Sequence, residues 1–195
     1  MRRATDVNRS TRWLQPSRLV RRFGSRIAEA TGNKPVLDIG CGSGRNAVAL
    51  AQLGCAVICV DKDLSTLRSH QAELRDSSLS TALGQLILHE LDLLTDRWPF
   101  TACAAGAIIN VHCLFPALFP SFESSLSPAG YLLLETVPGH GGNYLELPKA
   151  GELRSALETG FELEYYKEGK VGPCGSDAVT VQMLAKKRNA MPKRK

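Results

Sequence analysis

The sequence predicts an α/β protein with a mainly parallel sheet, and three observations support this fold class. Short apolar runs alternate with helix-like segments along the 195 residues, which is typical of βαβ units with right-handed crossovers. A glycine-rich turn joins the first apolar run to a helix. The last two runs are separated only by a polar Gly/Pro loop, so we expect them to pair as an antiparallel hairpin.

Each element follows from a local pattern. The first helix begins near Pro16, carries Leu19, Val20 and Phe23 at helical spacing, and ends at Gly32. Asp63 is suited to cap a later helix. The remaining expected helices cover 44–53, 117–126 and 149–159, and the expected strands cover 35–39, 56–60, 85–91, 104–111, 131–135, 161–166 and 179–185.

The composition is that of a soluble protein with one core. Hydrophobic residues make up 44% of the chain and charged residues 22%, and no apolar run reaches the roughly 18 residues that a membrane span needs. The six cysteines include no C-x-x-C pair, so we expect reduced thiols in a cytoplasmic protein, without a disulfide framework or metal site. Oligomeric state is left open.

The net charge of +5 is divided unevenly along the chain. Residues 1–26 carry +7 and residues 186–195 carry +6, which leaves −8 for residues 27–185. The basic ends are either solvated segments or contacts for a polyanion such as nucleic acid. An arginine-rich, acid-poor N-terminus is also typical of a mitochondrial transit peptide, which is a second hypothesis for localisation. We therefore predict a basic arm (1–15), a folded domain (16–186) and a basic tail (187–195).

The glycine-rich turn is the strongest functional signal. Asp38-Ile39-Gly40-Cys41-Gly42-Ser43-Gly44 follows the first strand, and glycines in such a turn supply unusual backbone angles and allow close approach of a ligand. A dinucleotide fingerprint is G-x-G-x-x-G. Counted from Gly40, its third glycine would fall on Arg45, and the carboxylate of Asp38 would repel a pyrophosphate but suit an ammonium group. The pattern therefore favours a cationic ligand.

This stretch resembles motif I of the class I S-adenosylmethionine-dependent methyltransferases. The resemblance extends over about 16–186 and implies a Rossmann-like sheet of seven strands, mainly parallel, with helices on both faces and an antiparallel C-terminal hairpin. Asn110-Val111-His112, Glu135-Thr136 and the segment 143–148 resemble the small tellurite-resistance-type members. That narrower likeness implies a small-molecule methyl acceptor and S-adenosyl-L-methionine as the cofactor.

Ligands of open α/β sheets bind outside the carboxyl ends of the strands, so the residues there are the candidate site. Asp61, after strand 2, is placed to accept hydrogen bonds from a ribose diol, and Asp92 resembles the acidic residue that lies near the adenine amino group in this family. The candidate cofactor-binding residues are Asp38, Gly40, Cys41, Gly42, Gly44, Asp61, Lys62, Asp92, Leu93 and Asn110.

His112 is the candidate catalytic residue. It follows strand 4 and titrates near neutrality, so it can act as a general base if the acceptor carries a proton; the alternative is a structural histidine lining the pocket. Weaker substrate-side candidates are Glu135, His140 and Tyr144, and Trp13 and Arg18 are candidates for a lid.

Two alternative functions stay open. An RNA methyltransferase would use the basic ends as phosphate contacts, and a cofactor-binding module would bind S-adenosylmethionine without transferring its methyl group. The chain lacks the Asn/Asp-Pro-Pro-Tyr/Phe signature of many amino-group methyltransferases, since Val111 and His112 follow Asn110. This departure weakens the case for methylation of a base or an amide.

Overall fold

A computed structural model describes residues 14–73, 80–83, 85–139 and 143–189. Strands and helices mostly alternate from the first helix to the fifth strand, but two helices precede the third strand and a loop without a helix joins the third strand to the fourth. The helices are α1 (Arg18–Thr31), α2 (Arg45–Gln52), α3 (Ser65–Glu73), α4 (Ser80–Leu83), α5 (Phe119–Ser125) and α6 (Glu152–Leu157). The strands are β1 (Val36–Ile39), β2 (Val57–Asp61), β3 (Leu86–Glu90), β4 (Ala105–Val111), β5 (Leu126–Glu135), β6 (Phe161–Lys170) and β7 (Val179–Lys187).

The seven strands form one sheet in the order β3-β2-β1-β4-β5-β7-β6. The first five strands pair in parallel, whereas β7 runs antiparallel to both β5 and β6. The predicted seven-stranded sheet and its C-terminal hairpin are thus confirmed. The order reverses at β1, so the glycine-rich turn lies at the switch point where α/β proteins bind ligands.

Apolar clusters cover both faces of the sheet. On one face α1 and α2 pack over Val36, Val57 and Leu133, and on the other α5 and α6 pack over Leu37, Ile108 and Leu132. Strands buried on both faces read as continuous apolar runs, which explains why the central strands are visible in the sequence. Helix α1 ends at Gly32, whose φ of 56° suits glycine.

The structure corrects several predicted boundaries. The segment 117–126 begins as a 3₁₀ turn (Pro116–Leu118) before α5. Strand β5 starts at Leu126, not near Tyr131, because the predicted turn at 128–130 is a bulge within the strand; Ala129 has a φ of 62° there. Strand β6 extends to Lys170. Local turn residues mark a bulge as readily as a loop, and only the pairing with β4 distinguishes the two.

Candidate active site

The turn between β1 and α2 is held by backbone hydrogen bonds to the end of β2. Gly40 N–H donates to Val60 O at 2.8 Å, and Cys41 N–H donates to the same oxygen at 3.1 Å. Gly40, Gly42 and Gly44 have φ values of 70°, 53° and 80°, a region that residues with a Cβ avoid. A Cβ on Gly44 would also collide with Leu67 Cδ1. The three glycines are therefore required by geometry, before any ligand is considered.

Asp38 lies beneath this turn. Its side chain is 1% exposed and accepts a hydrogen bond from the backbone N–H of Ala47, in the first turn of α2. Burial, opposed by that bond, raises the pKa of Asp38 to about 7. Its Oδ2 has no hydrogen-bond partner among the described residues. A buried acceptor without a donor is costly, so this oxygen is suited to a donor from a ligand or from the turn.

Asp61 ties the turn to β2. Its Oδ2 accepts from Gly42 N–H at 2.8 Å and its Oδ1 accepts from Asp63 N–H at 3.2 Å. Each carboxylate oxygen can accept more than one hydrogen bond, so Asp61 retains capacity for further donors. Asp63 in turn accepts from Ser65 N–H at 2.8 Å, at the start of α3, which confirms its predicted capping contact.

A cavity of about 210 Å³ opens beside Asp61. Its volume is below the roughly 300–1,000 Å³ of sites that hold a whole drug-sized ligand, so it suits one part of a larger molecule. Among the predicted residues, Gly40, Asp61, Lys62, Asp92 and Leu93 line it. The wall is completed by Leu91, Leu94, Cys113 and Phe115.

Two of the predicted cofactor-binding side chains face the core. Cys41 is 6% exposed and packs in the apolar cluster beneath α2, so only its backbone belongs to the turn. Asn110 is fully buried and donates to Ile39 O at 3.1 Å, which fastens β4 to β1. Both side chains therefore support the site through packing and hydrogen bonding within the core.

Sequence reasoning missed Cys113 and Phe115 as lining residues. Cys113 Sγ donates to Ile39 O at 3.2 Å, and burial, more than the neighbouring carboxylates, raises the pKa of its thiol to about 12. Its side chain forms part of the cavity wall, and the raised pKa keeps the thiol protonated near neutral pH. The sequence contains no signal for these residues beyond their position just after β4, because which loop residues turn toward the cavity depends on the tertiary fold.

His112 contacts Arg45 across the mouth of the turn. Its Nδ1 lies 3.1 Å from Arg45 Nη2. Since an arginine guanidinium only donates, Nδ1 must accept and the proton of the neutral ring lies on Nε2. Burial and the Arg45 charge lower the pKa of His112, with Glu135 opposing them. The backbone of His112 has a φ of 61°, and its N–H donates to Glu135 O at 2.7 Å.

Glu135 ends β5 and lines a second cavity of about 370 Å³. The side chain is 7% exposed; its Oε1 accepts from Gln182 Nε2 at 2.9 Å, whereas its Oε2 has no hydrogen-bond partner among the described residues. A third cavity, of about 540 Å³, shares Lys167 and Gln182 with the second. Its remaining wall comes from α1 and Tyr165, and includes Arg18.

The structure describes only one of the remaining weaker candidates, Tyr144. Tyr144 packs against Gly172 in the loop between β6 and β7. Trp13 and His140 lie outside the described residues. The predicted lid and the proposed substrate contact of His140 therefore stay predictions.

Three further features bear on chemistry. Within the described ranges, no group of three or more His, Cys, Asp or Glu is arranged to hold a metal ion. All six cysteines are free. In the same part of the chain, none of the helices has the length and apolarity required to cross a bilayer.

Comparisons with known proteins agree with this geometry. Residues 36–130 match the family model described as a methyltransferase domain, which covers the glycine turn and the first five strands up to the bulge of β5. Comparison with curated protein sequences gives no match.

Similar solved structures share the fold across most of the chain. TehB from Haemophilus influenzae has a TM-score of 0.60 at 18% identity over 85% of this chain, and the chain spans 61% of TehB. A geranyl diphosphate methyltransferase in complex with S-adenosylmethionine has a TM-score of 0.62 at 13% identity, with coverages of 85% and 84%. The tRNA (m1A58) methyltransferase TrmI from Aquifex aeolicus has a TM-score of 0.56 at 13% identity, with coverages of 86% and 68%.

The names of these three proteins include a small-molecule and an RNA methyltransferase, so the likeness supports a fold and leaves the acceptor open. The fold itself, the family-model match and the glycine turn at the switch point agree with one another. Residues 36–130 therefore match a methyltransferase domain, and the chain as a whole has the fold of S-adenosylmethionine-dependent methyltransferases.

Proposed function

We propose that this protein transfers a methyl group from S-adenosyl-L-methionine to a small-molecule acceptor by in-line displacement. The observation that carries the proposal is the order of groups along the carboxyl edge of the sheet. The 210 Å³ cavity lies on the side of β2 and β3, the glycine turn and His112 lie at the centre, and the Glu135 cavity lies on the side of β7 and β6. Donor and acceptor would meet at the centre.

The cofactor roles follow from this order. Asp61 would accept hydrogen bonds from the ribose diol, with Lys62, Asp92 and Leu93 around the base. Gly40, Gly42 and Gly44 would let the methionine part approach the backbone, and Asp38 would face its ammonium group from beneath the turn. The sulfonium supplies an activated methyl group, so this chain's contribution is alignment and exclusion of water, worth up to about 7–11 kcal/mol when alignment is near ideal.

We propose that His112 orients the acceptor as a hydrogen-bond donor. The Arg45 contact occupies Nδ1 and leaves Nε2–H free to donate, an arrangement less suited to the general-base role that the sequence suggests. His112→Gln, which keeps an N–H donor, should then retain most of the turnover, and His112→Ala should lower kcat about 10-fold or more. Equal losses in both variants, which shrink at pH values below the histidine pKa where the base of the unchanged chain is protonated, would favour the base.

Release of S-adenosylhomocysteine across a panel of acceptors tests the activity. Binding of S-adenosylmethionine by calorimetry runs in parallel. Binding together with acceptor-dependent release supports methyl transfer. Binding without release for any acceptor would favour the non-catalytic module, and no binding would exclude the proposed site.

A further inference from the structure

A trough runs over the β5–β7–β6 part of the sheet, at the edge away from the 210 Å³ cavity. It consists of the two cavities that share Lys167 and Gln182. Glu135 pairs in register with Gln182, and Gln182 pairs with Lys167, so the three side chains form one row on the α1 face of the sheet. The row is negative at β5 and positive at β6.

The β5 end of the row has an unsatisfied acceptor. Glu135 is more than nine-tenths buried and lines the cavity, and its Oε2 has no hydrogen-bond partner among the described residues. Gln182 Nε2 donates to Oε1 of Glu135 and not to Oε2. A carboxylate oxygen held in this way requires a donor. The chemistry that fits is an N–H or ammonium group.

The β6 end of the trough is cationic. Arg18, Arg21 and Arg22 reach it from the first turns of α1, opposite Lys167. The ion pairs formed among the described residues involve none of these four cations, although Arg22 lies over the ring of Tyr165 at 4.5 Å. Concentrated cations without acidic partners suit an anion, since arginine binds carboxylates and phosphates in bidentate fashion.

We propose that this trough is the acceptor site and that its substrate carries an amine or N–H donor at one end and a carboxylate or phosphate at the other. The inference rests on the proposed function, because it assigns the acceptor of that reaction. Neighbouring strands lie about 4.8 Å apart, so Glu135 and Lys167, two strands apart, are separated by roughly 10 Å at the backbone. Both ends of one small molecule of several bonds can be bound together.

The test uses matched probes on the full chain with bound S-adenosylhomocysteine. Aminoalkyl phosphates and ω-amino acids of two to six carbons carry both groups, alkyl phosphates lack the amine, and alkyl diamines lack the anion. Binding is measured by ligand-observed NMR titration. We expect the probes that carry both an amine and an anion to bind at least 10-fold more tightly than the probes that carry only one of these groups. Comparison of the phosphate series with the carboxylate series identifies the preferred anion.

Variants assign each end. Glu135→Gln should weaken the amine-bearing probes at least 5-fold and leave alkyl phosphates unchanged, whereas Arg18→Gln and Lys167→Gln should weaken every anionic probe by a similar factor. Lys170→Gln is the matched control, because Lys170 lies farther along β6 and lines neither cavity. It should change binding less than 2-fold.

The results that would overturn the acceptor-site inference differ from those that would overturn the proposed function. The inference would be overturned if probes with both an amine and an anion bind no more tightly than probes with one of these groups. It would also be overturned if none of the three trough variants changes probe affinity. A single-stranded RNA that binds through Arg18 and Lys167 in a salt-dependent way and displaces the probes would also overturn it. S-Adenosylmethionine affinity is measured on every variant and should stay within 3-fold of the unchanged chain; loss of cofactor binding in the unchanged chain itself is what would defeat the proposed function.

Discussion

Asp61→Ala tests the cofactor site at a residue with two roles, a structural contact to the glycine turn and a proposed contact to the ribose. The carboxylate holds the glycine turn through Gly42 N–H at 2.8 Å and is the proposed acceptor for the ribose hydroxyls. A hydrogen bond to a charged group contributes about 1.5–3 kcal/mol, and partial exposure of Asp61 places each bond at the low end. Loss of one or two ribose contacts accounts for about 1.5–3 kcal/mol of binding free energy, and with part of the turn contact the total cost should be about 2–4 kcal/mol.

That range corresponds to a Kd for S-adenosylmethionine about 30-fold to 1,000-fold higher. Asp61→Asn keeps one carbonyl oxygen and should lose about 1–2 kcal/mol, or roughly 5-fold to 30-fold. The matched control is Asp63→Ala, because Asp63 contacts Ser65 N–H at the start of α3; its affinity should change less than about 3-fold.

Isothermal titration calorimetry with S-adenosylhomocysteine measures these affinities, and circular dichroism checks that each variant is folded. A folded Asp61→Ala protein that binds within 3-fold of the unchanged chain would refute the placement of the ribose. Equal losses in the Asp61 and Asp63 variants would instead trace the effect to the β2–α3 loop as a whole.

Three further predictions concern stability. Gly44→Ala should lower the unfolding free energy by about 2–4 kcal/mol in urea titrations, because it adds both backbone strain and overpacking against Leu67. Gly42→Ala, whose Cβ meets open space, should show only the backbone strain of about 1–2 kcal/mol. Equal losses in the two variants would contradict the packing argument. Phe122→Ala removes a fully buried ring and should cost about 3–5 kcal/mol, with a lower Tm by calorimetry; a loss under 1 kcal/mol would be contrary to expectation. Because the pKa of Asp38 is raised from 3.8 to about 7, the folded chain binds more protons than the unfolded chain in that window, so stability without cofactor should fall as pH rises through it. Asp38→Asn should remove that slope, and an unaltered slope would mean another group causes it.

Much of the fold could be predicted from local patterns. The apolar run 57–60 and the turn at Gly40, Gly42 and Gly44 have signals within a few residues, since a strand covered on both faces must be apolar and a positive φ selects glycine. The bulge at Ala129 could not be predicted in this way, because its chemistry is that of a turn and only pairing with β4 makes it part of a strand.

The candidate site divides in the same manner. Asp61 and Asp92 could be found because strand ends in a parallel sheet converge on one edge. The inward orientation of Asn110, the contact between Arg45 and His112, and the wall formed by Cys113 depend on side-chain directions that no sequence period encodes.

By itself the sequence determined the order of strands and helices, the terminal hairpin and the glycine turn with its acidic neighbours, because each depends on residues close together in the chain. Only the tertiary structure decided that Glu135, Gln182 and Lys167 form one row, and that the arginines of α1 lie opposite it. These residues are up to 164 positions apart, and the registers of β5, β7 and β6, set by packing of the whole core, bring them together.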